Sequence, residues 1–397
     1  MKILWVKADF LHPTTKGGHI RTLEMLKRLH LRHEIHYVGI EDPLHPEGVA
    51  RSKEYSSFAY PVRHFVPSKG SLAFVGQLAA GLVSTLPVAV ARYRSAAMKR
   101  KISELVAAHS FDHIVCDFLF PAPNIPDLSR AVLFEHNVES MIWRRRVEHE
   151  PGPVPQAYLR LQAKRMFNYE GAVCRAAAQV ITVSEIDADI VHREFGAARV
   201  GHVPTGVDLE YFAPPSLQSR GPAFDIVFVG SMDWMPNSEG VSWFLGEILP
   251  RIRARRPQTT VCIVGRDPHP KIRALAAQAS QVTVTGTVPD VRPYLWGAGL
   301  SVVPLRIGSG TRLKIYEAIA AKAPVVSTAV GAEGLPLVHG EHVLIADTEE
   351  SFAESCVRLM ESPGLAQTLR ERACELVASR FSWESVAREF ERLLAHA

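Results

Sequence analysis

The chain has 397 residues, enough for two to three domains at roughly 150 residues each. With 47% apolar and 22% charged residues it is neither disordered nor fibrous, and a net charge of +4 over 45 basic and 41 acidic side chains excludes the footprint of a dedicated nucleic-acid binder. Cys116, Cys174, Cys262, Cys356 and Cys374 stand far apart with no C-x-x-C pair, which reads as buried thiols in a reducing cytoplasm, without disulfides or a zinc site.

The N-terminus reaches a charge after Ile3–Val6, too soon for a signal-peptide core, so Lys2–Val6 reads as a first β-strand. Further strands are predicted at Glu34–Val38, Val62–Phe65, His113–Cys116, Val132–Glu135 and Val180–Val183. Helices are predicted at His19–His30, Ser95–His109, Gln156–Ala178 and Glu185–Phe195. Residues 70–91 carry no charge, yet Gln77, Ser84, Thr85, Pro87 and three glycines interrupt the run and Arg92 and Arg94 follow it. A bilayer span needs about 20 apolar residues, so this stretch reads as a helix with a connecting turn, either buried or resting on a membrane surface.

Residues 203–222 hold four prolines and no periodicity, the best linker in the chain. Beyond it the alternation restarts, with strands at Asp225–Val229, Thr260–Val264, Val282–Val284, Leu300–Val303 and Pro324–Ser327. Helices follow at Val241–Arg255, Lys271–Ala279, Val291–Trp296, Thr311–Ala321 and Ser382–Ala397. Short, wholly apolar strands between amphipathic helices imply parallel sheets covered on both faces. The expectation is an α/β protein of two doubly wound domains facing across a cleft, residues 1–205 and 206–381, with 382–397 as a closing helix.

Four segments carry chemistry. Gly17 and Gly18 follow the first strand and open a helix, where paired glycines admit a close ligand and helix N–H groups favour an anion; Arg21 beyond them reads as solvated. Glu135-His136-Asn137 follows a strand, so His136 can donate to a sugar hydroxyl or a phosphate. Gly308-Ser309-Gly310 turns into a helix near Thr311 and Leu313, and its amides with Arg312 and Lys314 would cradle a diphosphate while Glu317 accepts both hydroxyls of a ribose. Gly286–Tyr294, including Val288, follows another strand and can present backbone groups to a nucleobase, with Asp290 as the N-cap of a short helix. No P-loop and no G-x-G-x-x-G occurs.

These residues together resemble the retaining GT-B glycosyltransferases of family 4, whose signature reads G-x-G-x-R-x-K-x-x-E-A. The likeness runs from Gly17-Gly18 through Glu135-His136-Asn137, Val183-Ser184-Glu185, Pro204–Asp208 and Val229–Met232 to Gly331–Gly334. It implies two Rossmann-like domains, an N-terminal one for the acceptor and a C-terminal one for a UDP- or GDP-sugar donor. By the same resemblance Gly17, Gly230, Val288, Ser309, Gly310, Thr311, Leu313 and Glu317 hold the donor. Gly18, His136, Arg312 and Lys314 stand at the reacting centre. Two departures from the family pattern stand out: the residue eight before Glu317, commonly a glutamate, is Ser309, and the basic pair after the first strand of the second domain is replaced by Ser231–Asn237.

The resemblance implies transfer with retention to a glycan, lipid-linked or small-molecule acceptor. No D-x-D stands where a metal-bound diphosphate would need it, so neither metal nor further cofactor is expected. Basic clusters at Arg92–Lys101, Arg144–Arg146 and Lys164–Arg165 are compatible with a peripheral contact on an inner membrane surface. A sugar-nucleotide epimerase or hydrolase of the same fold, or a non-catalytic nucleotide-sugar-binding protein, is the alternative reading.

Overall fold

The computed structural model describes residues 1–396 except 15–16, 68–70, 149–151, 216–220, 233 and 308–312. The chain divides into two compact units, Met1–Pro204 with Val386–Ala397, and Thr205–Ser385.

In the first unit seven parallel strands, β1 (Lys2–Val6), β2 (Glu34–Ile40), β3 (Phe58–Val62), β4 (His113–Asp117), β5 (Ala131–Phe134), β6 (Gln179–Thr182) and β7 (Val200–His202), are ordered β3-β2-β1-β4-β5-β6-β7. Helices α1 (Gly17–Leu29), α2 (Leu72–Val83), α3 (Ala96–Ala108), α4 (Glu139–Glu148), α5 (Pro153–Ala176) and α6 (Glu185–Phe195) connect them. The inner strands β5 and β6 are buried along their whole length, as expected of a sheet covered on both faces. The third strand departs from the expected Val62–Phe65: it lies at Phe58–Val62, and Phe65 is 76% exposed. Pro61 obscures it in the sequence, yet an edge strand pairing only with β2 has no need of that N–H.

The second unit holds β8 (Phe224–Val229), β9 (Val261–Val264), β10 (Val282–Gly286), β11 (Ala298–Val303), β12 (Val325–Ser327) and β13 (Leu344–Ile345), parallel and ordered β10-β9-β8-β11-β12-β13. Its helices include α7 (Met235–Trp243), α8 (Leu249–Arg255), α9 (Pro270–Gln278), α10 (Leu313–Ala320), α11 (Glu349–Glu361) and α12 (Pro363–Arg380). A π turn at Phe244–Ile248 joins α7 to α8, so the helical run starts earlier than the expected Val241. The proline-rich stretch after Val203 is no free linker at its start. Val207 and Phe212 are buried in the second unit's core, and the Val207 N–H donates to the Phe381 carbonyl at 2.7 Å.

The last helix, α13 (Trp383–Leu394), ends within the first unit. Phe390 packs its ring 5.6 Å from Trp5 and 5.0 Å from Phe134, and Glu391 accepts a two-pronged hydrogen bond from Arg32. Four of the five cysteines are buried and all are free thiols. Among the described residues no helix is long and apolar enough to cross a membrane.

Candidate active site

Both sheets reverse strand order beside their first strand, between β1 and β4 and between β8 and β11. Crevices beyond the carboxyl ends of parallel strands at such points are where α/β proteins hold ligands. The residues with unusual chemistry gather there in each unit.

In the first unit Lys7 follows β1 and Asp117 ends β4; both are almost completely buried. Asp117 Oδ2 accepts from Trp5 Nε1 at 2.9 Å and from Thr22 Oγ1 at 2.7 Å, and its Oδ1 accepts from Lys7 Nζ at 2.9 Å. His136 follows β5 and places Nε2 2.9 Å from the same Oδ1. That contact is close without being aligned as a hydrogen bond, for among the described residues neither ring nitrogen of His136 has a hydrogen-bond partner. Phe118, at a left-handed φ of 69°, stacks on the His136 ring at 3.9 Å and lies under Lys7 Nζ at 4.4 Å. A bulky residue in that region is strained, and such strain clusters at functional sites.

The electrostatics follow from burial among fixed charges. Burial pushes His136 down to about 3, with Arg21 and Lys7 adding to the shift against the opposing pull of Asp117. It is therefore a neutral imidazole at pH 7. Burial alone would raise the Asp117 carboxyl, but Lys7 and His136 outweigh it and hold Asp117 well below the usual carboxylate range. Arg21, expected in solvent, is instead buried on the inner face of α1, where burial lowers it to about 10 and Asp117 and Asp187 work the other way. Arg21 thus adds a second buried cation, beside Lys7, to the surroundings of His136.

The two glycines of the N-terminal turn have different reasons to be glycine. A Cβ at Gly18 would stand 2.7 Å from the Phe118 ring and 3.7 Å from His136 Nδ1, so α1 approaches the histidine only because position 18 has no side chain. Gly17 has open space around it. Behind His136 lies a buried carboxyl group of three: Glu135, Glu139 and Glu170. Glu170 accepts the Glu139 and Ser140 N–H groups at 2.6 and 2.8 Å, holding the start of α4. Burial and the neighbouring Glu170 raise Glu139 to about 7, and burial raises Glu135 and Glu170 as well.

In the second unit Gly230, directly after β8, is the meeting point. A Cβ there would lie 2.8 Å from Lys314 Nζ and 2.9 Å from Asn237 Nδ2. Lys314 donates to Asn237 Oδ1 and sits 4.7 Å over the Phe228 ring, and Asn237 Nδ2 donates to the Ser231 carbonyl at 2.7 Å. Arg266, arriving from the loop after β9, donates to Ser231 Oγ at 2.7 Å. Two cations, Lys314 from α10 and Arg266 from the loop after β9, thus converge on the Gly230-Ser231 turn, where the sequence lacks the family's basic pair. The turn is stitched to its neighbours, Gly230 N–H to the Val264 carbonyl at 2.9 Å and Gly265 N–H to that of Gly286 at 3.2 Å.

Glu317 projects from α10, one residue short of a full turn beyond Lys314. It is half-buried, and among the described residues it has no hydrogen-bond or ion-pair partner. Burial raises its pKa while Lys314 works the other way. Leu313 begins α10 and Val288 packs half-buried against the core beside β10. Ser309, Gly310, Thr311 and Arg312 lie outside the described residues. Asp290 is not the N-cap expected: Val291 takes that position, and Asp290 Oδ1 accepts the Arg292 N–H at 2.9 Å while its carboxylate also pairs with the Arg292 guanidinium.

A cleft of about 1250 Å³ opens beside this turn, lined by Met232, Glu239, Trp243, His269, Thr287 and Arg306 among others. It does not include Lys314 or Glu317. Among the described residues no group of three or more His, Cys, Asp or Glu side chains is placed to hold a metal ion. Sequence reasoning missed Lys7, Asp117, Phe118 and Arg266. The signal for the first two was a charge standing directly at the end of an apolar strand run.

Over 198 residues the chain is 26% identical to a phosphatidyl-myo-inositol mannosyltransferase of Mycolicibacterium smegmatis, 48% of this chain and 50% of that one. Over 141 residues it is 26% identical to an uncharacterized 44.6 kDa protein in the cps region of Klebsiella pneumoniae, 34% of this chain and 36% of that one. The chain thus matches half or less of the length of these relatives. By fold it resembles the sucrose-phosphate synthase of Thermosynechococcus elongatus, with a TM-score of 0.71 at 19% identity and coverage of 100% and 98%. It also resembles HepE of Anabaena in complex with UDP and glucose, with a TM-score of 0.65 at 15% identity and full coverage of both chains. Residues 15–211 match the model for glycosyltransferase family 4 and residues 223–362 that for glycosyl transferases group 1, so the chain belongs to the group 1, family 4 glycosyltransferases and has their GT-B fold of two Rossmann-like domains.

Proposed function

We propose that this protein transfers a sugar from a UDP- or GDP-sugar to an acceptor hydroxyl on a glycan, glycolipid or small aglycone, with retention of configuration and without a required metal. The observation that carries the reading is the placing of Lys314 beside the Gly230-Ser231 turn, with a half-buried Glu317 on the same helix that has no side-chain partner among the described residues. A cation beside a glycine turn suits a diphosphate, and a carboxylate with free lone pairs suits the two hydroxyls of a ribose.

In this reading the bond between the anomeric carbon and the diphosphate oxygen breaks as the acceptor oxygen bonds to that carbon on the same face. The acceptor proton passes to the departing phosphate oxygen, so no separate base is required. In the same reading Arg312, Lys314 and Arg266 stabilise the charge that builds on the diphosphate, the type of fixed electrostatic help that is usually the largest catalytic term. His136, neutral at pH 7, acts as a hydrogen-bond partner that positions the donor sugar, with Gly18 giving it room. Supporting the donor class, the structurally similar HepE is described in complex with UDP and glucose.

The test is a thermal-shift panel of UDP, GDP, ADP, TDP and CDP, with and without Mg²⁺. A ligand at 100 times its Kd stabilises by about 2.7 kcal/mol. One diphosphate is expected to shift the curve equally with and without metal, and Glu317→Ala to abolish that shift. No response to any diphosphate would remove the donor reading. Complete consumption of the nucleotide sugar in acceptor-free buffer would instead favour an epimerase or hydrolase.

A further inference from the structure

Helix α2 reads LAFVGQLAAGLV, with no charged side chain, and the stretch expected to be either buried or membrane-resting is open to solvent along one stripe. Leu72 is 91% exposed, Val75 and Leu82 are each 56% exposed, and exposed Ala79 lies between them. Spacings of three, four and three residues put these four on a single helix face. The opposite side is tied down on α5. Tyr158 donates to the Leu78 carbonyl at 3.4 Å, Gln162 to that of Gly81 at 3.3 Å, and Arg165 to that of Leu82 at 2.8 Å. The helix is therefore held in place with Leu72, Val75 and Leu82 turned outward while Leu78 packs on the core.

The flanking sequence is strongly basic, although Arg63 pairs with Glu41 at 2.9 Å and Lys101 with Glu104 at 2.7 Å. From Tyr55 to Ser103 the sequence contains no aspartate or glutamate but includes Arg63, Lys69, Arg92, Arg94, Lys99, Arg100 and Lys101. The supporting part of α5, from Pro153 to Tyr169, likewise has no acid and carries Arg160, Lys164 and Arg165. Arg160 and Lys164 are exposed, flanking the very residues that grip α2. An outward apolar stripe with exposed cations such as Arg160 and Lys164 on the helix that supports it complements a surface that is apolar below and anionic above.

We propose that α2 is a membrane-docking element: Leu72, Val75 and Leu82 enter the headgroup–acyl boundary of an anionic bilayer, and the flanking lysines and arginines sit at the lipid phosphates. Twelve helical residues extend about 18 Å, short of a hydrocarbon core of about 30 Å, so the helix lies in the surface and does not span it. The inference concerns a face of the first unit and is independent of the donor chemistry.

Flotation of the full chain with vesicles tests it, using phosphatidylcholine alone and phosphatidylcholine with 30% phosphatidylglycerol. Wild type is expected to float only with the anionic vesicles and to be released by high salt. Leu72→Asp/Val75→Asp is expected to weaken partitioning roughly tenfold or more. Arg160→Ala/Lys164→Ala is expected to weaken it about 30-fold, at about fivefold per cation. Unchanged thermal midpoints show that both variants fold, and an environment-sensitive dye on Leu72→Cys reports insertion directly by a blue shift. Failure of wild type to float with anionic vesicles, or flotation of the Leu72→Asp/Val75→Asp variant like wild type, overturns the proposal. So does a wild-type dimer in light scattering that this variant converts to monomer, since the stripe would then be covered by a second copy. Because no donor or acceptor is present, the outcome is separate from that of the nucleotide panel.

Discussion

His136 and Glu139 lie three residues apart, both buried, yet burial drives their proton affinities in opposite directions, and this makes a sharp test of the first unit's electrostatics. Burial lowers His136 from 6.5 to about 3, so between those values the unfolded chain holds a proton that the folded chain does not, and stability falls as the solution is acidified. Burial and Glu170 raise Glu139 from 4.5 to about 7, so in that range the folded chain holds the extra proton, and stability falls as the solution is made alkaline. Over the shared window, from 4.5 to 6.5, the two contributions cancel at about 1.4 kcal/mol per pH unit each. Replacing either residue uncovers the other. Relative to wild type, His136→Gln should lose up to about 2.7 kcal/mol of stability between the lower and upper ends of the window, and Glu139→Gln should gain about as much. Urea unfolding followed by far-UV circular dichroism at pH 4.5, 5.5 and 6.5 measures both, and referring each variant to wild type removes the common titration of the surface. Differences that stay constant within about 0.5 kcal/mol across the three conditions would refute the burial argument for that residue.

Asp117→Asn should destabilise the first unit by about 4 kcal/mol, because it leaves the Lys7 ammonium buried without its counter-charge and aims an amide NH₂ at one of two donor pairs; the double variant with Lys7→Met should lose clearly less than the two single losses added. Equal, additive small losses in urea titrations would disprove the pairing. Gly265→Ala should cost about 3 kcal/mol or more, since a Cβ there meets the Gly230 carbonyl oxygen at 1.9 Å and φ is 152°; an unchanged thermal midpoint would contradict the packing of the three loops. Gly18→Ala forces the Phe118 ring off His136 and should lower kcat roughly a hundredfold with intact diphosphate binding, and wild-type turnover would remove Gly18 from the reacting centre.

Much of the fold was legible in the residues because parallel sheets write themselves as short apolar runs. Lys2–Val6 and Glu185–Phe195 were read to the residue, and most other elements fell within two or three positions. Where the reading failed, the pattern had another cause. The two-residue β13 and three-residue β7 are too short to show a period, and α11 and α12 follow a Gly- and Pro-containing stretch that reads as loop. At Phe58–Val62 a proline hid a strand that edge position permits.

The site was legible in a different and more limited way. Among the candidate residues Gly18, His136, Gly230 and Lys314 stand out because each sits just beyond a strand or opens a helix, with Glu317 further along the helix that Lys314 opens, and a doubly wound topology brings strand ends together wherever they occur in the chain. What no linear pattern supplies is the partner across the sheet. Asp117 gathers Trp5, Lys7 and Thr22, from about a hundred positions earlier, through the pairing of β1 with β4, and its neighbourhood decides that His136 is uncharged and Arg21 buried. Arg266 reaches Ser231 across the β8–β9 pairing in the same manner, bringing a positive charge to a turn whose own sequence contains none. A motif thus marks the backbone turns that are candidates for a ligand, while the register of the sheet fixes the charge each turn carries. The turn after β8, whose own sequence has no basic residue, is thus given its positive charge by Arg266 from the loop after β9 and by Lys314 from α10, the surroundings on which the proposed diphosphate site rests.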